Sequence, residues 1–114
     1  MQPRDKLRLE HMLSEARKAV AKGQAVCRAD LDTDENLVAA FAWHLSVIGE
    51  AASRLSTELR QTHSMVPWAE IVGMRHRLVH GYDAIDFDIV WQTLQVDLPP
   101  LVAALEEILR SEQA

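Results

Sequence analysis

The chain has very little cysteine and no long apolar run. Cys27 is its only cysteine, so no internal disulfide can form, and the composition predicts a reducing compartment such as the cytoplasm. No continuous apolar stretch approaches the length that crosses a membrane. The first ten residues are charged throughout and lack the apolar segment of a secretion signal. We therefore expect a cytoplasmic protein.

Basic residues are also scarce, with 12 Lys and Arg against 17 Asp and Glu, which gives a net charge of −5. A sequence-independent coat for DNA or RNA needs a broad basic surface, so this balance argues against that class of protein. It leaves room for an enzyme that binds a few phosphates at one point. With 114 residues, we expect a single domain spanning 1–114 around one core.

Helical periodicity dominates the sequence, with no convincing alternating strand, internal repeat or low-complexity linker. The pattern predicts an all-α bundle of four to five helices. Start and stop signals bound the predicted helices. Gly23 is a stop, Asp32 and Glu35 form a capping box, and residues 97–100 form a break. Pro67 and either Asp86 or Asp88 are helix starts. The predicted helices are Pro3–Lys22, Asp34–Gln61, Pro67–Val79, 86–96 and a last one ending near Arg110.

The predicted second helix is unusually long, at roughly 40 Å for a rise of about 1.5 Å per residue. Besides its core stripe it carries Trp43 and Val47 on a second face. One small bundle leaves such a second face uncovered, so the sequence predicts contact with another chain, most simply in a homodimer.

The segment 75–82 suggests chemistry, because it holds two arginines, two histidines and the only tyrosine, without a carboxylate. Arg75 and His80 are five residues apart, which on an unbroken helix separates them by roughly 140°. They can share a site only if the helix ends between them or a second subunit supplies its own copy. Gly81 suits the position after a helix end.

In such a site, His80 can transfer a proton and Arg75 can hold a phosphate. Tyr82 can bond a phosphate oxygen or orient the histidine. The structural alternative is a helix end with solvated Arg and His side chains that complement the helix dipole. The spacing of His76 and His80 suits zinc, but no third ligand is near in sequence, so we predict no metal site.

Glu50 is an auxiliary candidate, since it follows Trp43 and Val47 on the second face of the long helix. It can orient Arg75 or His80, or form a surface pair with Arg54. His44 is interpreted as a packing or interface residue.

The stretch from Gly73 to Tyr82, followed by 83–86 and Val90-Trp91, resembles the HEPN superfamily, and more narrowly its HepT-like toxins. The family signature is Arg, four residues, His, one residue, Tyr, and the chain matches it in register. His76 fits the polar residue that usually follows the arginine. Similar segments cover most of the chain from residue 34 on: 48–51, 68–71 and 97–101. Residues 1–33 match only as a plausible first helix.

The resemblance implies a dimeric HEPN-type bundle in which two copies of the motif face each other in one cleft. It implies a metal-independent endoribonuclease toxin that needs no cofactor, leaves a 2′,3′-cyclic phosphate and uses Arg75, His80 and Tyr82, with His76 as an auxiliary residue. It also implies a type VII-like pairing with an MNT-type nucleotidyltransferase antitoxin, which adenylylates Tyr82. Two alternatives stay open: a non-catalytic subunit that binds nucleotide or docks the nucleotidyltransferase, and a purely structural dimerisation bundle.

Overall fold

Three long helices carry the core of this all-α bundle, as the periodicity predicted. A computed structural model describes residues 1–80 and 84–113, without the side chains of residues 79, 80 and 113. Helix α1 (Pro3–Gln24) packs against both α3 (Glu35–Ser53) and α8 (Leu98–Gln113). Their apolar stripes meet in a core whose fully buried members include Leu9, Met12, Phe41, Leu45, Ile48, Leu98 and Leu105.

Shorter elements connect the long helices. They are α2 (Asp30–Thr33), α4 (Thr57–Thr62), α5 (Trp68–Val72), α6 (Met74–Leu78), β1 (Val79–His80), β2 (Ala84–Ile85), α7 (Phe87–Gln92) and a π-helical turn (Thr93–Asp97).

The predicted stop at Gly23 is wrong, because α1 continues to Gln24 and Gly23 lies buried within it. Gly23 faces the π-helical turn, where a Cβ atom would lie 3.4 Å from the Cβ of Leu94. Gly23 therefore lies in ordinary packing contact with that turn and does not end the helix. Such a contact is invisible to local sequence signals.

The predicted helix Asp34–Gln61 is two helices. Helix α3 ends at Ser53, and Ser56 caps α4 by accepting a 3.1 Å hydrogen bond from the Leu59 N–H. Asp5 is buried and accepts from both the backbone N–H (2.9 Å) and the hydroxyl (2.6 Å) of Ser56. A tertiary contact from α1 thus fixes the turn, and the helix-length argument for a second chain no longer holds.

The capping box is also displaced. Asp34, and not Asp32, caps α3, because its carboxylate accepts a 3.1 Å bond from the Leu37 N–H. The residues before it, which lie between the first two predicted helices, include the short helix α2.

The predicted third helix, Pro67–Val79, divides at Gly73 into α5 and α6, and it gives way to a strand that the sequence did not predict. β1 pairs antiparallel with β2 through Val79 with Ile85 and His80 with Ala84. Two-residue strands are too short to produce an alternating pattern. The helix nevertheless ends between Arg75 and His80, as their spacing required.

The predicted break at 97–100 is wrong as well. Asp86 caps α7, accepting from the N–H groups of Asp88 (3.0 Å) and Ile89 (3.1 Å), and the chain then stays helical to Gln113. Pro99 and Pro100 fall in the first turn of α8, where a missing N–H is tolerated. The π-helical turn comes directly before them.

A buried polar cluster joins α1 to α3, and it confirms the packing role predicted for His44. Lys22 donates to Nε2 of His44 (2.9 Å), so Nδ1 carries the proton and donates to Glu15 (2.5 Å). Burial disfavours the Glu15 carboxylate, but His44 and Lys18 outweigh this and hold the pKa of Glu15 below its ordinary value of 4.5.

Gly49 sets the distance between α3 and α5. A Cβ atom on Gly49 would lie 3.2 Å from the carbonyl oxygen of Ile71 and 3.3 Å from that of Val72. These are backbone atoms of α5, which cannot turn aside as a side chain can. The close approach carries α6, the next helix, onto the face of α3 that bears Glu50.

The two buried helical glycines give a matched test. We expect Gly49→Ala to lower the free energy of unfolding by about 1 kcal/mol or more, because the methyl group crowds helix backbone. Gly23→Ala should instead raise it by about 0.5–1 kcal/mol, since its Cβ atom fits and alanine favours helix. Urea unfolding of both variants measures the difference. Equal stabilisation by the two substitutions would contradict the role assigned to Gly49.

Candidate functional site

A groove of about 750 Å³ lies where α1, α3 and α6 meet. Its walls combine cationic and titratable side chains with exposed apolar ones. The described lining includes Leu7, Arg8, His11, Trp43, Val47, Glu50, Arg54, Arg75 and His76.

Three of the five predicted site residues line this groove: Glu50 from α3, and Arg75 and His76 from α6. The backbone of His80 lies in β1, two residues beyond the end of α6, and its side chain lies outside the described part of the structure. Tyr82 lies outside the described residues, as does Gly81. The structure therefore groups the amino-terminal half of the predicted motif with Glu50.

The side chains of Arg75 and His76 on α6 are available to contact a ligand. Arg75 and His76 are exposed, and neither forms a hydrogen bond or ion pair with another described residue. Cationic side chains elsewhere on the surface are more often paired, as Arg17 is with Glu106 (2.8 Å) and Arg28 with Asp88 (2.8 Å). A guanidinium without a carboxylate partner can offer its full fork of donors to a phosphate.

Glu50 accepts a 2.9 Å hydrogen bond from Nε of Arg54, so the surface pair considered for these residues is present. Both side chains are about two-thirds exposed, at 65% and 63%. Such an exposed i,i+4 pair contributes only about 0.3–0.5 kcal/mol, so a bound anion can compete for Arg54 at small cost.

Sequence reasoning missed the contribution of α1. Arg8 and His11 reach the groove from the polar face of that helix, and Arg8 donates to the carbonyl oxygen of Arg54 at the carboxyl end of α3. Their i,i+3 spacing put both on one face, but only the packing of α1 against α3 brings that face beside α6.

The electrostatics of the groove oppose those of the whole protein. Three arginines and two histidines meet one carboxylate in the described lining, on a chain whose net charge is −5. Trp43 adds an indole that is 65% exposed, which can stack on a base or be covered by a protein surface. The groove is suited to a phosphate-bearing ligand.

The described residues contain no group of three His, Cys, Asp or Glu side chains that could hold a metal ion. None of the helices in the described part of the chain is long and apolar enough to span a membrane.

The structure is an all-α bundle with a cationic groove lined by Arg75 and His76. A family model described as "Ribonuclease HepT-like" matches residues 9–108, so the chain belongs to the HepT-like ribonuclease family.

Curated relatives agree with this assignment. The chain is 38% identical over 105 residues to a protein of Caldanaerobacter subterraneus subsp. tengcongensis named "Putative RNase", covering 92% of this chain and 94% of that one. It is 30% identical over 83 residues to the "Probable ribonuclease HepT" of Thermococcus cleftensis, covering 73% and 76% of the two chains. No solved structure matches the chain significantly.

Proposed function

We propose that this protein is a metal-independent endoribonuclease toxin of a type VII-like toxin–antitoxin pair. The observation that carries the proposal is the cationic groove in which Arg75 and His76 lie without protein partners among the described residues. The groove occurs in a member of a ribonuclease family whose relatives are named as RNases. An acidic protein with one local cationic site suits an enzyme that binds RNA at a single point.

The chemistry follows from the residue types. A histidine, His80, takes the proton from a ribose 2′-hydroxyl, whose oxygen attacks the adjacent phosphorus. The bond from phosphorus to the 5′-oxygen breaks, that oxygen takes a proton from the histidine imidazolium or from water, and a 2′,3′-cyclic phosphate remains. Arg75 holds the phosphate and stabilises its growing charge. Tyr82 bonds a phosphate oxygen or orients His80, and His76 and Glu50 act as auxiliary residues.

The proposed active form is a homodimer. Trp43 and Val47 form an apolar strip beside Glu50 on the wall of the groove, and a second copy seated there would bring its own Arg75 to the same cleft. The two copies of the motif then form one composite site.

The proposed partner is an MNT-type nucleotidyltransferase that attaches AMP to Tyr82. Bulk and negative charge beside a cleft that must admit phosphate would exclude RNA sterically and electrostatically.

Substitutions in the motif test the catalytic assignment. His80→Ala should abolish RNA cleavage by removing the proton carrier, and Arg75→Lys should reduce it by about 10²-fold or more, because a point charge lacks the bidentate phosphate contact. Arg17→Lys makes the same chemical change outside the groove and serves as the control.

Cleavage of labelled RNA is measured for each variant and for the wild-type protein, with and without excess EDTA. Full activity in either motif variant, or activity lost to EDTA and restored by a divalent ion, would refute the mechanism. Nucleotide binding without cleavage would favour the non-catalytic alternative.

Val47→Asp tests the composite site. A charge on the half-buried apolar strip should prevent dimer formation and with it cleavage, since an unpaired charge in an interface is strongly unfavourable. Ala103→Asp adds the same charge at an exposed position of α8 and should leave both unchanged. Light scattering and RNA cleavage are measured on each. A wild-type monomer that cleaves RNA would contradict the proposal.

Tyr82 tests the regulation. Incubation with the neighbouring nucleotidyltransferase and ATP-Mg²⁺ should add AMP to Tyr82 and stop cleavage, and peptide mass spectrometry locates the addition. Tyr82→Phe should not be modified. The regulatory part of the proposal is wrong if the nucleotide is found elsewhere or if Tyr82→Phe is still modified and silenced.

A further inference from the structure

A second groove also draws part of its lining from α6. Its volume is about 450 Å³, which is within the range of small-molecule sites. The described lining comes from α6 and from the helical segment 87–97: His76, Arg77, Ile89, Gln92, Thr93 and Asp97. His76, the residue after Arg75, lines both grooves, so the two grooves are neighbours on α6.

The π-helical turn brings two polar side chains of this groove together. In an α-helix, Gln92 and Asp97 would be separated by roughly 140° around the axis. In the turn Thr93–Asp97 the Leu98 N–H donates to the carbonyl of Thr93, five residues back. The wider turn places residues five apart nearly above one another, and π-turns are frequent at functional sites. Gln92 and Asp97 can therefore address one ligand.

The groove is polar and its polar groups are unsatisfied by protein. None of Arg77, Gln92 and Asp97 forms a hydrogen bond or ion pair with another residue in the described ranges. Asp97 is half-buried, whereas Arg77 and Gln92 are exposed. A carboxylate accepts only, a guanidinium donates only, and a side-chain amide does both. Half-buried Ile89 and buried Thr93 complete the lining, and the Thr93 hydroxyl already donates to the Ile89 carbonyl oxygen (2.8 Å).

We propose that this second groove binds a guanine base of the RNA, next to the bond that is cleaved. The inference rests on the proposed ribonuclease function. Guanine presents two adjacent N–H donors, at N1 and N2, which one carboxylate can accept together. It also presents the O6 and N7 acceptors, to which Gln92 or Arg77 can donate. Adenine and cytosine each present a single exocyclic amino group, and uracil presents mainly acceptors, so each satisfies Asp97 less well.

The position of the groove agrees with such a role. Neither Trp43 nor Val47 lines it, so it is separate from the strip on which a second copy is proposed to sit. Because His76 borders both grooves, a nucleotide whose phosphate lies at Arg75 can place its neighbouring base at Asp97. Single-stranded RNA, whose bases are free to turn outward, is the form that fits.

The test is base preference. Wild-type protein is given RNA containing a randomised stretch, and the cleaved ends are sequenced. We expect guanine beside the cleaved bond to be preferred about tenfold over the other bases, which is the discrimination that one good bidentate contact supplies. Inosine, which lacks the 2-amino group, should lose several-fold in kcat/KM.

Asp97→Asn replaces one of the two acceptor oxygens by an NH2 donor at nearly constant shape, so guanine can no longer donate two bonds and the ratio of guanine to adenine cleavage should fall towards one. Glu10→Gln removes the same single charge from an exposed position of α1, outside both grooves, and should keep the wild-type ratio. Cleavage without base preference, or a preference that survives Asp97→Asn, would overturn the guanine site while leaving the ribonuclease proposal intact.

If the wild-type protein cleaves no RNA, the proposed function fails. A binding experiment then tests separately whether the second groove binds guanine. GMP titrated into ¹⁵N-labelled protein should shift the side-chain amide of Gln92 saturably, more strongly than IMP, and not in Asp97→Asn. An unmoved Gln92 amide, or equal shifts with GMP and IMP, would refute the assignment.

Discussion

The close contact of α5 with α3 at Gly49 determines how the candidate site is built. Helix backbone meets helix backbone there, with room for hydrogen only, since a Cβ atom would lie 3.2 Å from the carbonyl oxygen of Ile71. Because α6 follows α5 after a single residue, this contact also sets the distance between Arg75 and Glu50 across the groove. Gly49 lies in the stretch 48–51 that resembles the family, and its lack of a side chain leaves room for the backbone of α5.

The charged and polar side chains of this protein fall into two arrangements, one bonded internally and one exposed. The Lys22–His44–Glu15 cluster is satisfied internally and joins two helices. The α6 side chains Arg75, His76 and Arg77 are left without partners in the described part of the chain. Unpaired exposed cations on an acidic protein concentrate attraction for anions at one place, which favours binding of a few phosphates over coating of a polyanion. The two grooves that α6 helps to line share this arrangement.

The helices that carry the core were predictable because their apolar residues recur at helical spacing, and the helix end between Arg75 and His80 followed from their separation. The boundaries of the helices were less predictable from the sequence. Asp5 fixes the break after Ser53 from 51 residues away in sequence, and a π-helical turn lets the chain pass Pro99 and Pro100 without stopping. The groove residues Arg8 and His11 were missed for a similar reason, since nothing local distinguishes them from a solvated helix face.

The sequence by itself determined the helical class, the family and the residues on which its chemistry is proposed to rest, because these depend on residue type, periodicity and spacing along one segment. Only the tertiary structure decided which other side chains share the site. The approach of α3 and α5 at Gly49 and the packing of α1 across α3 both depend on distances between elements. Such distances are set by how side chains of remote segments fill the same core, and no single stretch of sequence encodes them.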